Sequence, residues 1–156
     1  MGMLVNTTMA ELSDLTFRTA FIVYIVALIL AFIYYGRVNS VIEARREALA
    51  EQKVLVGAGG PEVVEKQKSD EDMIANARKW AGMTQALVWV GVALHLVAFV
   101  TRGLAAGRFP LGNLYEYILF MTAVIMVVAA VVVQRKNWHT VWPWLLFPMV
   151  IAMFLN

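Results

Sequence analysis

One histidine, His95, lies inside an otherwise apolar run, 91-GVALHLVAFV-100. On a helix, Gly91 and Ala98 flank it one turn away on the same face, and Arg102 follows about 10 Å further along the axis. Small residues beside an imidazole predict a shallow groove, and a cation at its rim suits an axial ligand of heme iron with a propionate partner. The alternative is a neutral histidine hydrogen-bonded to a neighbouring helix, with the small residues allowing close packing. The predicted face comprises Thr84, Val88, Gly91, His95, Ala98 and Arg102.

The stretch that follows, 102-RGLAAGRFPLGNLYEYILFMT-122, contains a helix-start pattern. Pro110 and Gly112 break the helical pattern, and Asn113 stands three residues before Glu116. This is the spacing of a helix cap followed by an acidic residue in the first turn, where the helix dipole favours a carboxylate. The pattern predicts that a new helix starts at residue 113.

The same stretch supports a second interpretation, a charged rim at the end of a pocket. In that interpretation Glu116 and Tyr115 meet Arg102 or Arg108. We therefore treat Arg108, Asn113, Tyr115 and Glu116 as candidate rim residues, and Arg102 as a candidate partner for a heme propionate.

The remaining candidates are weaker. His139 lies next to Arg135 and Lys136 and is typical of an interfacial residue, with contact to a ligand as the alternative. No nucleophile–base pair, phosphate-binding glycine loop or paired-carboxylate motif occurs, so the sequence gives no positive case for a self-contained enzyme. The absence of cysteine excludes disulfides, Cys-ligated zinc and iron–sulfur clusters.

Composition points to the elements that must hold these residues. The chain has 156 residues, of which 61% are hydrophobic, and its mean hydropathy is +0.69. Soluble domains are less apolar, so this composition indicates a membrane protein. A net charge of +2 without a basic block gives no indication of nucleic-acid binding.

Four apolar segments predict an all-α, polytopic membrane protein with four transmembrane helices in one membrane domain. A helix needs about 20 apolar residues to cross the hydrocarbon core of a bilayer, and in lipid it must satisfy its own backbone. The first segment is longer than the core of a signal peptide and lacks a basic start, so a retained anchor is the better interpretation. The predicted spans are about 17–36, 80–101, 113–133 and 139–155.

The distribution of lysine and arginine predicts the orientation. The loop 37–79 holds eight of them, and 134–138 holds two more. The positive-inside rule places both loops in the cytoplasm, with the N-terminus and the loop 102–112 outside.

The cytoplasmic loop itself predicts a helical hairpin between the first two spans. Residues 38–56 are rich in helix formers, 57-GAGGP-61 breaks the chain, and 69-SDED-72 has the form of a capping box that starts a helix near residue 70. A solvated hairpin is the simpler interpretation, and a docking site for a partner is the alternative.

Two stretches resemble a known family. His95 followed by R-x(4)-G-x-x-P-x-x-N-x-Y-E is similar to the amino-terminal half of the CcsA/ResC-type proteins of System II cytochrome c biogenesis, called CcsB in actinobacteria. The opening, 7-TTMAELSDLTFRTAFIVYIVALIL-30, resembles the actinobacterial members. In this chain the motif comprises His95, Arg102, Gly107, Pro110, Asn113, Tyr115 and Glu116.

The resemblance implies a multi-pass protein of the bacterial cytoplasmic membrane that transports heme and presents it to apocytochrome c together with a ResB-type partner. It implies heme b as cofactor and His95 as an axial ligand. The tryptophan-rich WWD segment and the external histidines of the family are absent from this sequence, because 142-WPWLLFP-148 does not match the WWD pattern. We therefore expect a subunit that is incomplete without a WWD-containing half.

Two other classes of function stay open at this stage. A small four-span protein without a catalytic constellation also fits a non-catalytic accessory subunit of a respiratory cytochrome complex or supercomplex. A small transporter or scaffold is a third class, for which the sequence contains no positive motif.

Overall fold

The computed structural model describes residues 6–54 and 62–155, and within them the chain forms helices and no strand. Four α-helices follow one another along the chain. Helix α1 spans Thr7–Val54, α2 spans Glu62–Ala106, α3 spans Leu114–Lys136, and a single 3-10 turn at His139–Val141 leads into α4, Trp142–Phe154.

Three of these helices are long and apolar enough to cross a membrane. The qualifying segments are Thr7–Ala50, Glu71–Ala106 and Leu114–Lys136, and the apolar helix His139–Phe154 is shorter. The prediction of an all-α chain with membrane-spanning helices is confirmed to this extent. The fourth span and the orientation of the N-terminus stay predictions.

The helices form a ring in chain order. Helix α1 packs along α2, α2 packs against α3, α3 contacts α4, and α4 returns to α1. Helix α1 contributes Ala20, Ala27 and Ala31, all fully buried, with Tyr24 between them. The spacings of four, three and four residues place these side chains on one face, and the small residues let the backbones of α1 and α2 approach closely.

Buried hydrogen bonds join the helices across this core. Ser13 Oγ donates to the carbonyl of Ala98 at 2.8 Å and ties α1 to α2. Gln85 Nε2 donates to the carbonyl of Ala130 at 3.2 Å, while Gln85 Oε1 accepts from Trp142 Nε1 at 3.1 Å. One α2 side chain therefore holds both α3 and α4.

Both helices of the predicted hairpin are present, but the second helix starts earlier than the sequence pattern indicates. Helix α2 begins at Glu62, so the predicted cap at Ser69 is wrong. No glycine or proline interrupts residues 62–80, and the strong helix formers Glu65 to Lys68 favour helix directly before Ser69. The predicted break at residues 57–61 lies outside the described residues.

Candidate functional site

His95 lies at the centre of the bundle. The face predicted for it on α2 is the face that packs inward, and Thr84, Val88, His95 and Ala98 are all buried. An ionisable side chain inside an apolar span costs free energy, and such residues usually have a function. The position of His95 therefore makes it the first candidate for function.

The two ring nitrogens of His95 have different surroundings. Nε2 lies 3.3 Å from Thr122 Oγ1 on α3. The Thr122 hydroxyl has one proton, which it donates in a 2.6 Å hydrogen bond to the carbonyl of Ile118. These contacts favour the tautomer with the hydrogen on Nε2, where the Thr122 hydroxyl and the Leu119 backbone can accept it. Nδ1 keeps a free lone pair, and it has no hydrogen-bond partner in the described part of the chain.

Helix α1 closes the space beside His95. The rings of Phe17 and Tyr24 approach the imidazole edge-on, with centroids 5.9 Å and 6.1 Å away. A Cβ on Gly91 would lie 2.5 Å from Tyr24 Cε1, so the tyrosine ring occupies the room that glycine leaves. The groove predicted beside His95 is thus filled by α1.

Tyr24 adds a second buried polar group at this level. Its hydroxyl is enclosed and, among the described residues, has no hydrogen-bond partner. Two side chains in ring contact therefore each carry a buried polar atom without a partner among the described residues. Buried polar groups are nearly always satisfied, so this pair calls for an explanation in terms of a ligand or an internal water.

The other candidate residues gather around Glu116 at the end of the bundle that carries Arg102, here called the Arg102 end. The Glu116 carboxylate is 2% exposed and lies 3.1 Å from Arg108 Nη1 and 3.6 Å from Arg102 Nε. It also accepts the backbone N–H of Gly112 at 2.7 Å. A buried carboxylate with two guanidiniums and a backbone donor is well compensated, and the group as a whole keeps one net positive charge.

The turn before α3 follows the predicted capping pattern. Asn113 is the N-cap, and its Oδ1 accepts the backbone N–H of Glu116 at 2.8 Å. A Cβ on Gly112 would meet the guanidinium of Arg108, so the arginine lies in the room that glycine leaves beside Glu116. Gly107 has a positive φ of 61°, a conformation that favours glycine.

The side-chain contacts expected in the rim interpretation are present, and the pocket itself stays a prediction. The Arg102 guanidinium lies 5.0 Å from the centre of the Tyr115 ring while it faces Glu116. The structure therefore brings Arg102, Arg108, Asn113, Tyr115 and Glu116 into one cluster. His95 lies two turns of α2 from Arg102, deeper in the bundle.

His139 lies at the opposite end and takes no part in this cluster. Its ring packs edge-on against Tyr34, with centroids 6.5 Å apart. Its Nδ1 is enclosed without a hydrogen-bond partner in the residues described. Arg37 covers the ring of Trp80 at 5.3 Å close by, which is typical of residues at the end of a span.

Four residues that matter here carry no label from the sequence patterns, namely Ser13, Tyr24, Gln85 and Thr122. Each is a polar or hydroxyl-bearing residue inside an apolar helix. That property is the signal which identifies them, because such residues in a span usually face the bundle interior.

The described residues contain no group of three or more His, Cys, Asp or Glu side chains able to hold a metal ion. The donor set around His95 supplies one nitrogen, which suits a single axial position on an iron that has its own macrocycle. No protein-family model, curated protein or solved structure matches this chain.

Proposed function

We propose that this chain is a heme-handling membrane subunit for cytochrome c maturation, with His95 as an axial ligand. The observation that carries the proposal is the buried Nδ1, whose lone pair has no partner among the described residues. Thr122 fixes the ring by accepting from Nε2, and a second hydrogen bond of this kind orients most metal-bound histidines. When bound, heme would supply the iron that takes this lone pair.

The cluster at the Arg102 end supports the same proposal. Arg102 lies seven residues after His95, about 10 Å along the axis of α2. Two guanidiniums share one carboxylate there, so one positive charge is left to attract a propionate. Tyr115 and Asn113 hold this rim in place.

The space beside His95 sets a condition on heme binding. Its donor chemistry fits an axial position, but Phe17 and Tyr24 fill the volume that a porphyrin would need. Binding therefore requires α1 to move those rings away from α2.

The wider assembly belongs to the same proposal. Four spans with an external N-terminus and a cytoplasmic hairpin would place the Arg102 end on the outer side of a bacterial cytoplasmic membrane. Apocytochrome c and a ResB-type partner would meet the chain there. A WWD-containing half would be needed to complete delivery.

An absorption spectrum tests the proposal. The chain is purified in mild detergent with its native partners, reduced, and scanned for Soret and α bands. A b-type spectrum is expected in the wild type and is lost in His95→Ala. Since the sequence has two histidines, His139→Ala is the matched control and should keep the spectrum. A heme signal unchanged by His95→Ala would overturn the ligand assignment.

One observation favours a second function, a non-catalytic accessory subunit of a respiratory cytochrome complex. The bundle is closed around His95 by α1, as expected of a packing element. In that case the chain co-purifies with a cytochrome complex at fixed stoichiometry and carries no heme of its own. Quantifying heme per chain after separation from the complex distinguishes the two functions.

A further inference from the structure

A row of planar side chains leads from His95 to the Arg102 end of the bundle. The Phe17 ring meets the imidazole of His95 edge-on and meets the Tyr115 ring edge-on as well, with centroids 5.9 Å apart in both contacts. The Arg102 guanidinium lies 5.0 Å from the centre of the Tyr115 ring. On α3, Tyr115 precedes Thr122, the residue in contact with His95, by about 10 Å along the axis. Phe17 of α1 therefore bridges the distance between the imidazole and the rim.

Exposure to the surroundings rises along this row. His95 is fully buried and Phe17 is 9% exposed, whereas the Arg102 side chain is 26% exposed. Toward the opposite end of the bundle the interior stays closed over several turns. The fully buried residues on that side include Tyr24, Val88 and Trp142. The shorter way from the surface to His95 thus starts at the Arg102 end and passes Phe17.

The Phe17 ring can leave its position without breaking a hydrogen bond. A phenyl ring has no polar atom, so turning it about χ1 gives up only van der Waals and ring contacts. The backbone of α1 is held one turn away, where Ser13 Oγ donates to the carbonyl of Ala98 at 2.8 Å. The side chain can therefore move while the two helices stay joined.

We propose that ligands reach His95 from the Arg102 end and that the ring of Phe17 is the gate on this route. With the gate closed, the ring covers the imidazole and packs on Tyr115. The inference rests on the proposed function in taking heme as the ligand, with Arg102 as the group that meets a propionate at the entrance. The gate consists of the chain's own side chains, so its opening is measurable without heme.

The test measures how fast diethyl pyrocarbonate modifies His95 in the full chain, prepared without heme in mild detergent. This small neutral reagent attaches to an imidazole nitrogen with a free lone pair, and mass spectrometry of the His95 peptide gives the rate. Phe17→Ala is expected to raise the rate about tenfold, because modification follows the population of the open state. Phe17→Leu keeps most of the bulk and should stay close to the wild type.

The matched control is Phe21→Ala. It removes the same ring one turn further along α1, where Phe21 stacks on Phe154 of α4 with centroids 6.5 Å apart. The His95 rate should stay unchanged in this variant. Since the sequence has two histidines, the rate at His139 in the same molecules is the internal reference, and circular dichroism confirms that the helices are intact.

Three results would overturn the gate. A His95 rate unchanged by Phe17→Ala would show that the ring does not limit access. Equal acceleration in Phe17→Ala and Phe21→Ala would show general loosening of α1. A larger acceleration in Tyr24→Ala than in Phe17→Ala would place the route at the opposite end. Fast modification of Phe17→Ala in a chain that never shows a heme spectrum would support the gate and reject the heme proposal, so the two failures are distinguishable.

Discussion

Glu116 and His95 are both buried polar residues on neighbouring helices, yet their surroundings differ in kind. Glu116 meets two arginines and a backbone N–H. The His95 ring contacts Thr122 through Nε2 and also hydrogen-bonds the backbone of Leu119, while its Nδ1 faces no partner in the described residues. A group whose charge and hydrogen-bonding capacity are fully paired stabilises the structure. A group with a spare lone pair has capacity left for a ligand.

Electrostatics explains why the difference can exist. A buried carboxylate must be paired, because an isolated charge in an apolar interior costs far more than a protein's net stability. A neutral imidazole nitrogen without a partner costs only about 1–3 kcal/mol. The fold can therefore tolerate a His95 nitrogen without a partner, whereas an unpaired, charged Glu116 carboxylate would cost more free energy than the fold can supply. Three substitutions test this contrast, from the largest expected effect to the smallest.

Removing the fully paired carboxylate of Glu116 should have the largest effect on stability. Glu116→Ala leaves two arginines facing each other and deprives the Gly112 N–H of its acceptor. We expect the free energy of unfolding to fall by about 3 kcal/mol, the lower part of the range for breaking a buried pair, because Arg108 is partly exposed. Thermal unfolding in detergent measures it. Glu11→Ala, at an exposed site on α1, is the control, and equal effects would contradict the contrast.

Removing the cap should have an intermediate effect. Asn113→Ala loses the acceptor for the Glu116 N–H, and such caps contribute about 1 kcal/mol. Asn113→Asp keeps an acceptor and should stay close to the wild type in the same unfolding measurement. A larger loss in Asn113→Asp than in Asn113→Ala would mean that repulsion from Glu116 outweighs the cap.

Removing an unsatisfied group should cost least. Tyr24→Phe deletes a buried hydroxyl that has no hydrogen-bond partner among the described residues and leaves the ring that covers Gly91. We expect stability to be unchanged or raised by up to about 1 kcal/mol. Ser13→Ala is the matched control, since its hydroxyl bonds the Ala98 carbonyl and its loss should destabilise. A loss of stability in Tyr24→Phe would reveal that the hydroxyl has a partner such as water.

Local patterns in the sequence predict the helices and part of the candidate site. The Asn113 cap depends on four consecutive residues, and the buried face of α2 depends on a helical period, so both are accessible without tertiary structure. The apolar segments likewise predict the three long helices. These features follow from chain geometry that short stretches fix by themselves.

Features that depend on which helices meet are not accessible in the same way. Nothing in the α2 sequence shows that Tyr24 of α1 fills the room beside Gly91. The sharing of Glu116 between Arg102 and Arg108 requires the turn at Gly107 to bring both arginines to α3. The start of α2 at Glu62 is missed because the pattern at Ser69 competes with a longer run of helix formers.

Helix α1 has 48 residues, so as one continuous helix it is about 72 Å long. The same helix carries Phe17 and Tyr24, which enclose His95, and also Tyr34 and Val41, which line a cavity between α1 and α2 at the opposite end of the bundle. A rod that turns about its axis turns along its whole length. A torque applied to the end of α1 near Val54 would therefore also rotate the Tyr24 ring over Gly91. Helix α1 thus couples the two ends of the bundle mechanically.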